Sequence, residues 1–438
     1  MKGSYTIAVF LLLYLSACSA TDLARESTAN GIDAQWELLS AEADQLGKPG
    51  WRPMLNFLCD MHRKGTHPAR PPFPHPWEEI GPGYHALAFG HWDIVHVILD
   101  VLPTLRTHAK HQVLNNLANQ EADGLIPGVI WIESPRGERS APRWSTEAGH
   151  PPLWQIAVED YSKLYGDELL PHSYEPLKLQ IAWFERNRAA FPEGFYYSRT
   201  SWESGLDDDL RQPRAVRADG SFWSFLDATC HVYSMYDLAS SWAGRLGKTE
   251  EAEHYSGKAE RLKGFIQSRS FDEKVGYFHD IWAFEKPQNR IESFVGIWPL
   301  VTGAATNEQA QRVINEHLLN RERFSGKHPI STIALNAPEF ELLMWRGPSW
   351  NSMTYWAARG CLRYGRPDAA LRLVEAALDA TAHQYDRTGT LWEFYDPGGG
   401  KPEKVKREVK PPQGTPRRDY TGHNPLFAMA RMYDALAR

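Results

Sequence analysis

The chain has 438 residues and a net charge of −6, a length that admits two or three average domains or one large barrel or toroid. So mild a charge implies no polyanionic partner, and no block of like charge forms a nucleic-acid footprint; the cluster Lys401 to Arg407 is broken by glutamate and reads as a solvated loop. The 17 tryptophans and 18 tyrosines exceed ordinary use, which a carbohydrate-handling cleft or a large helical core would each explain.

The N-terminus reads as a processing segment. Lys2 precedes an apolar run from Ile7 to Leu15, and Leu15-Ser16-Ala17-Cys18 then has the form of a bacterial lipoprotein box ending a secretory signal over residues 1–18. Cys18 is expected to be freed by cleavage and lipidated, which would hold the protein at the bacterial cell envelope, periplasmic or outer-membrane, by a lipid anchor alone. The apolar run is too short to remain as a bilayer-spanning helix. Residues 19–34 are small and polar, as in a tether, and 35–438 remain as the folded domain. Cys59, Cys230 and Cys361 are widely spaced and odd in number, so they read as buried apolar fillers rather than a disulfide framework. No Cys-x-x-Cys or His-x-x-x-His spacing suggests a metal.

Beyond a proline-rich stretch from Pro68 to Pro76, too interrupted for regular structure, the chain becomes a series of paired helical patterns. The first pair is Tyr84 to Val101 with Leu105 to Ala118. Leu153, Ile156, Ala157, Tyr161 and Leu164 form an amphipathic stripe that Gly166-Asp167 stops, and the return helix carries Leu177, Ile181 and Phe184. Val232, Met235, Tyr236, Ala239, Trp242 and Leu246 repeat the pattern with Gly247 as C-cap, followed by Ala252 to Ile266. Phe294 to Thr302 with Asn307 to Leu318, Asn351 to Tyr364 with Asp368 to Tyr385, and a last helix from Pro425 to Leu436 complete the set. Successive helical hairpins with little alternating pattern suit an open solenoid or a closed double ring. The ring is favoured, because the repeats are irregular in length and the aromatic-acidic segments all lie in connections that a ring can gather around one pit.

Those segments carry the candidate chemistry. In Trp202-Glu203-Ser204-Gly205-Leu206-Asp207-Asp208-Asp209, Trp202 can lie against the apolar face of a pyranose, Glu203, Asp207 and Asp208 can meet hydroxyls or protonate a leaving oxygen, and Gly205 permits a sharp turn. Gly90-His91-Trp92-Asp93, Asp123-Gly124-Leu125-Ile126-Pro127, Trp345-Arg346-Gly347-Pro348-Ser349-Trp350-Asn351 and Thr390-Leu391-Trp392-Glu393-Phe394-Tyr395-Asp396-Pro397 have the same character. Glycosidic hydrolysis needs one carboxylic acid and a second carboxylate across the ring. Asp207 and Glu393 are the best pair, and only ring closure would set them face to face.

Trp202-Glu203-Ser204-Gly205-x-Asp207, Trp345-Arg346-Gly347-Pro348-x-Trp350 and Glu393-x-Tyr395-Asp396-Pro397 resemble, in kind and order, glycoside hydrolase family 63, the processing α-glucosidases and mannosylglycerate hydrolases, with the trehalases of family 37 as relatives. The likeness runs from about Trp77 to the C-terminus. It implies an all-α (α/α)6 barrel and an inverting, exo-acting hydrolysis of a terminal α-linked sugar, an α-glucoside first of all, from an oligosaccharide or small glycoside, with no metal or organic cofactor. By matching position, Asp207 would be the general acid and Glu393 the general base. Trp92, Asp93, Trp202, Glu203, Arg346 and Trp350 would line the terminal-sugar subsite, with Gly347 and Tyr395 from the same motifs.

There are departures. The family's Asn after the acid is Asp208 here, a like charge that raises the pKa of its neighbour. The Gln before Pro151-Pro152 is His150, and Tyr420 to Pro425 replaces a Phe-x-Trp-Thr segment. The long N-terminal β domain of larger members is missing, which implies a minimal catalytic barrel. Two other readings use the same ring: a sugar epimerase or phosphorolytic enzyme, for which His96, His150, His231 and His423 are the candidate proton carriers, and a sugar-binding lipoprotein with a dead site.

Overall fold

A computed structural model describes residues 32–437 apart from 82–86, 133–148, 191–194, 212–224, 282–289 and 409–413. The signal segment, Cys18 and nearly all of the tether lie outside the described residues. In chain order the helices are α1 (Ile32–Ala43), α2 (Arg52–Gly65), α3 (His91–Val101), α4 (Arg106–Leu117), α5 (Trp154–Tyr165), α6 (Leu170–Asn187) and the single turn α7 (Ser201–Ser204). Then come α8 (Leu226–Arg245), α9 (Thr249–Arg269), α10 (Trp298–Thr302), α11 (Asn307–Arg312), α12 (Asn351–Arg363), α13 (Pro367–Thr388) and α14 (Leu426–Ala437). Strands are confined to two- and three-residue antiparallel pairs: β1 (Thr66–His67) with β2 (Trp77–Glu78), β3 (Ala88–Gly90) with β4 (Val129–Trp131), β5 (Ala189–Ala190) with β6 (Phe195–Tyr196), and β7 (Phe271–Asp272) with β8 (Tyr277–Phe278).

The helices close into a double ring. α3 touches α5, α5 touches α8, α8 touches α10, α10 touches α12, α12 touches α14, and α14 returns to α3. Burial separates inner from outer helices in the way the sequence dictates. Every residue of α3 is buried, as an inner helix surrounded on all sides must be. In α9 only Tyr255, Ala259, Leu262 and Ile266 are buried, one stripe at helical spacing with a charged face outside. The sixth inner helix, α14, takes its outer partner from the other end of the chain, where α2 packs on α14 and α13. An (α/α)6 barrel results, closed by the meeting of the chain's two ends.

Most predicted helices stand within a few residues of their expected bounds. Two differences have physical causes. The helix expected from Tyr84 starts at His91, because Ala88–Gly90 pairs with Val129–Trp131 and the His91 amide donates to Gly128 O at 2.8 Å. The helices α1 and α2 have no counterpart among the expected elements; α1 takes in the last three residues of the expected tether. Cys59, Cys230 and Cys361 are buried and unbridged, and among the described residues no helix is long and apolar enough to cross a membrane.

A buried charge network locks the closure. Glu78 meets His62 Nδ1 at 2.6 Å with one oxygen and His108 Nε2 at 2.7 Å with the other, while His62 Nε2 lies 3.1 Å from Asp100. Asp100 also accepts from the Ala428 amide at 2.8 Å, and Arg431 pairs with Glu42 at 2.6 Å. With an acceptor at each ring nitrogen, His62 is an imidazolium between two carboxylates. Burial alone would depress its pKa, but Glu78 and Asp100 outweigh that and hold it at about 10. Its contribution to stability is therefore whole below the usual histidine value and fades as pH rises toward 10. His62→Ala, which strands buried carboxylate, is expected to cost roughly 3–5 kcal/mol, read as a lower urea midpoint at unchanged slope; an unchanged midpoint would deny the network this role.

Candidate active site

Sequential hairpins give the inner helices a common direction, so the loops that lead into them share one end of the ring. Trp92 and Asp93 stand in the first turn of α3, the acid-rich octet precedes α8, Met344 to Trp350 precedes α12, and Glu393 and Tyr420 to His423 lie between α13 and α14.

Direct contacts join these loops to one another. Trp92 Nε1 donates to His423 Nε2 at 3.2 Å, and Tyr420 Oη donates to Asp93 Oδ1 at 2.8 Å. The turn after α7 lies against Pro151 and Trp92: Gly205 has φ 71°, and a Cβ there would stand 3.0 Å from the Pro151 ring and 3.4 Å from the indole, so a side chain would be strained by its backbone conformation and tight against Pro151. The Trp345 amide donates to Asp208 Oδ1 at 3.0 Å, and Arg346 Nε donates to the Asp208 carbonyl at 3.1 Å. Ser349 and Tyr395 exchange backbone hydrogen bonds at 2.9 Å, which ties the α12 loop to the strand-like stretch that carries Glu393.

The four acidic residues of the octet are treated differently. Glu203 gives its oxygens to Arg188, at 3.0 and 2.8 Å from Nε. Asp209 accepts from Arg211 Nε at 2.7 Å, and Arg211 continues to Asp227 at 2.9 Å and Asp280 at 3.1 Å. Asp208 is held by Trp345 and Arg346 as described. Among the described residues Asp207 alone of the four has no hydrogen bond or ion pair, and its side chain is open to solvent.

Open as it is, Asp207 stands deep among protein atoms, the environment of a concave floor. Desolvation raises its pKa, Arg407 lowers it, and Glu393, Asp208 and Asp93 raise it, for a value of about 7. Asp208, the expected like charge, is thus among the groups that raise it. Glu393 is buried and bidentate to Arg407, with Nε 2.9 Å from Oε2 and Nη2 3.2 Å from Oε1, and Oε2 also accepts from the Arg417 amide at 3.1 Å. Two carboxyl groups thus share one electrostatic neighbourhood, one ion-paired and one without a partner among the described residues.

The remaining expected site residues divide. Trp92, Asp93 and Arg346 belong to the same loop cluster, and Trp202 is exposed on α7. Glu203, Gly347, Trp350 and Tyr395 are committed to the protein. Glu203, expected as an acceptor for sugar hydroxyls, is turned to Arg188 instead, since a bidentate guanidinium is the stronger partner. The Gly347 amide donates to Thr332 Oγ1 at 3.0 Å, and a Cβ there would fall 2.3 Å from the Glu341 carbonyl. Trp350 is buried face to face on Trp345, with ring centres 3.7 Å apart, and its Nε1 donates to Met344 O at 3.1 Å. Tyr395 is buried under His328, ring centres 4.4 Å apart. These side chains back the wall rather than face the opening.

Sequence reasoning missed Arg407. It falls within the expected solvated loop, whereas its guanidinium reaches inward to Glu393; the charge pattern of Lys401 to Glu408 carries no periodic signal that distinguishes it from its exposed neighbours. The four candidate histidines are all poor proton carriers. His96 donates from Nδ1 to Gly422 O at 2.7 Å and accepts from Trp356 Nε1 at 2.9 Å, and burial pushes its pKa down to about 3. His423 accepts from Trp92, leaves Nδ1 to donate to Ser352 Oγ at 2.7 Å, and is pushed well down by burial with His96 and His150 nearby. His150 is pushed to about 3 and His231 to about 4, in each case first of all by burial.

Comparison with known proteins places this geometry. Residues 89–421 match the model of the mannosylglycerate hydrolase MGH1-like glycoside hydrolase domain. The chain is 22% identical over 419 residues to alpha-glucosidase 2 of Arabidopsis thaliana, covering 77% of this chain and 51% of that protein. It is 24% identical over 178 residues to a periplasmic trehalase of Salmonella paratyphi B, covering 39% of this chain and 29% of that one. The chain thus spans between about a third and a half of these curated relatives. Among solved structures, the GH63 mannosylglycerate hydrolase of Thermus thermophilus in complex with glucose superposes with a TM-score of 0.65 at 16% identity, covering 86% of this chain and 98% of that one. The neutral trehalase of Saccharomyces cerevisiae gives 0.57 at 14% identity, covering 85% and 78%. With the family model matching most of its length and the barrel shared, the chain belongs to the mannosylglycerate hydrolase MGH1-like family of glycoside hydrolases.

Proposed function

We propose that the protein is an inverting, exo-acting glycoside hydrolase that removes a terminal α-linked sugar, glucose first of all, from an oligosaccharide or small glycoside. The observation that carries this reading is the contrast between Asp207, without a hydrogen bond or ion pair among the described residues and with its pKa raised to about 7, and Glu393, ion-paired within its field. A carboxyl group whose pKa is raised by burial, near a second that is ion-paired, suits an acid and a base. Asp207 gives its proton to the glycosidic oxygen as the C1–O bond breaks. Glu393 takes a proton from a water that attacks C1 from the opposite face, so the configuration inverts. Trp202 offers an aromatic platform beside the acid, and Asp93, held by Tyr420, an acceptor for sugar hydroxyls. An epimerase reading finds no support in four histidines that are all buried and held neutral.

The lipoprotein box supports attachment to the bacterial envelope through Cys18, and the name of the Salmonella relative places that protein in the periplasm. On this reading Cys18→Ala moves the protein from the membrane to the soluble fraction; retention on membranes would remove the anchor.

Activity tests the mechanism. On a panel of α-linked disaccharides, NMR of the first turnovers is expected to show β-sugar from an α-linked donor, and initial α-sugar would overturn inversion. Asp207→Asn and Glu393→Gln should each lower kcat by roughly 10²–10⁴-fold with the fold intact, and a near-normal rate in either removes that residue from the mechanism. Because the acid must hold its proton, kcat/KM should fall as pH rises through about 7. An alkaline limb displaced well above that value would assign the proton to another group.

A further inference from the structure

Arg407 meets Glu393 in a way that does more than neutralise it. A carboxylate offers about four lone-pair directions. Oε2 receives Arg407 Nε and the Arg417 amide, and Oε1 receives Arg407 Nη2, so among the described residues a single direction on Oε1 is left for another donor. The arginine is itself fixed. Its Nη1 donates to Glu408 at 2.6 Å, and the preceding residue, Lys406, pairs through its backbone with Leu342 O at 3.1 Å and the Met344 amide at 3.0 Å. The segment that anchors Lys406 continues into Trp345 and Arg346, which hold Asp208 beside the acid. One short frame, Leu342 to Arg346, therefore registers the acid loop against the clamp on the base.

Resting on the hydrolase reading above, we propose that Arg407 is a positioning residue for the reaction: by clamping Glu393 it leaves one oxygen direction for the attacking water, and its charge also acts on Asp207. Asp207 feels Arg407, Glu393, Asp208 and Asp93; Glu393 meets Arg407 and the Arg417 backbone; Arg407 faces Glu393, Glu408 and Tyr420. Removing the guanidinium takes away the cation that lowers the Asp207 pKa, so the alkaline limb of the pH profile moves up.

Arg407→Gln is expected to move the alkaline limb of kcat/KM to higher pH, by about 1–3 units. Arg407→Lys keeps the charge but loses the fork, and should leave that limb near its wild-type position while kcat falls. A limb unmoved in Arg407→Gln, with kcat lowered alike in both variants, would leave the arginine a mere structural strut and overturn the proposal. Carbon-13 NMR titration of the Asp207 carboxyl gives the same answer without turnover: an upward shift in Arg407→Gln supports the role, and an unchanged midpoint refutes it. Failure of the hydrolase reading looks different, as wild-type protein inert on the whole α-glycoside panel or Glu393→Gln at full rate.

Discussion

The chemistry of this barrel depends on how its arginines are distributed among its carboxylates. Within one loop cluster Arg188 takes Glu203, Arg211 takes Asp209 with Asp227 and Asp280, Arg346 holds the Asp208 segment, and Arg407 takes Glu393. Asp207 is passed over. Burial raises the pKa of Asp207 to about 7, and burial raises that of Asp208 likewise despite its Trp345 amide and Arg346; what sets Asp207 apart is that no hydrogen bond or ion pair among the described residues holds its side chain. Pairing therefore separates side chains that are chemically equal in the sequence.

The ring supplies the place where that distribution can matter. Inner helices share a direction, so their leading loops meet at one end once α14 returns to α3, and Glu393, distant in sequence, is near enough to Asp207 to raise its pKa. The closure is itself unusual in resting on charge: His62, Glu78 and Asp100 are fully enclosed and join α2, β2 and α3, with the α14 backbone attached through Ala428. Such a network gives little net stabilisation over an apolar core but tolerates no missing member, a suitable property for the seam where the two ends of the chain must find each other.

Behind the opening stands a wall of rings with fixed hydrogen-bond sense. Trp92 and Trp356 donate to His423 and His96, which forces each imidazole into one neutral tautomer and orients its other nitrogen toward Ser352 or Gly422. Trp345 and Trp350 stack beside them, and His423 meets the Trp350 ring edge-on with centres 4.6 Å apart. Rigid aromatic packing of this kind holds the first turn of α3, and with it Asp93, without requiring those rings to touch a ligand.

Much of this was legible in the sequence because it is local. Helical periodicity, Gly166 and Gly247 as stops, and the acid-aromatic connections all express themselves within a few residues, and three ordered motifs were enough to suggest the barrel and its family. What the sequence by itself determined is where the helices lie and which loops carry acids; it did not distinguish the residues within those loops. Glu203 and Asp207 look alike on the page, and Arg407 looks like its solvated neighbours Lys401 and Lys404. The tertiary structure decided that Arg188 neutralises the first, that no ion pair among the described residues neutralises the second, and that Arg407 turns inward, because an ion pair depends on a distance across the ring and no local pattern encodes that distance.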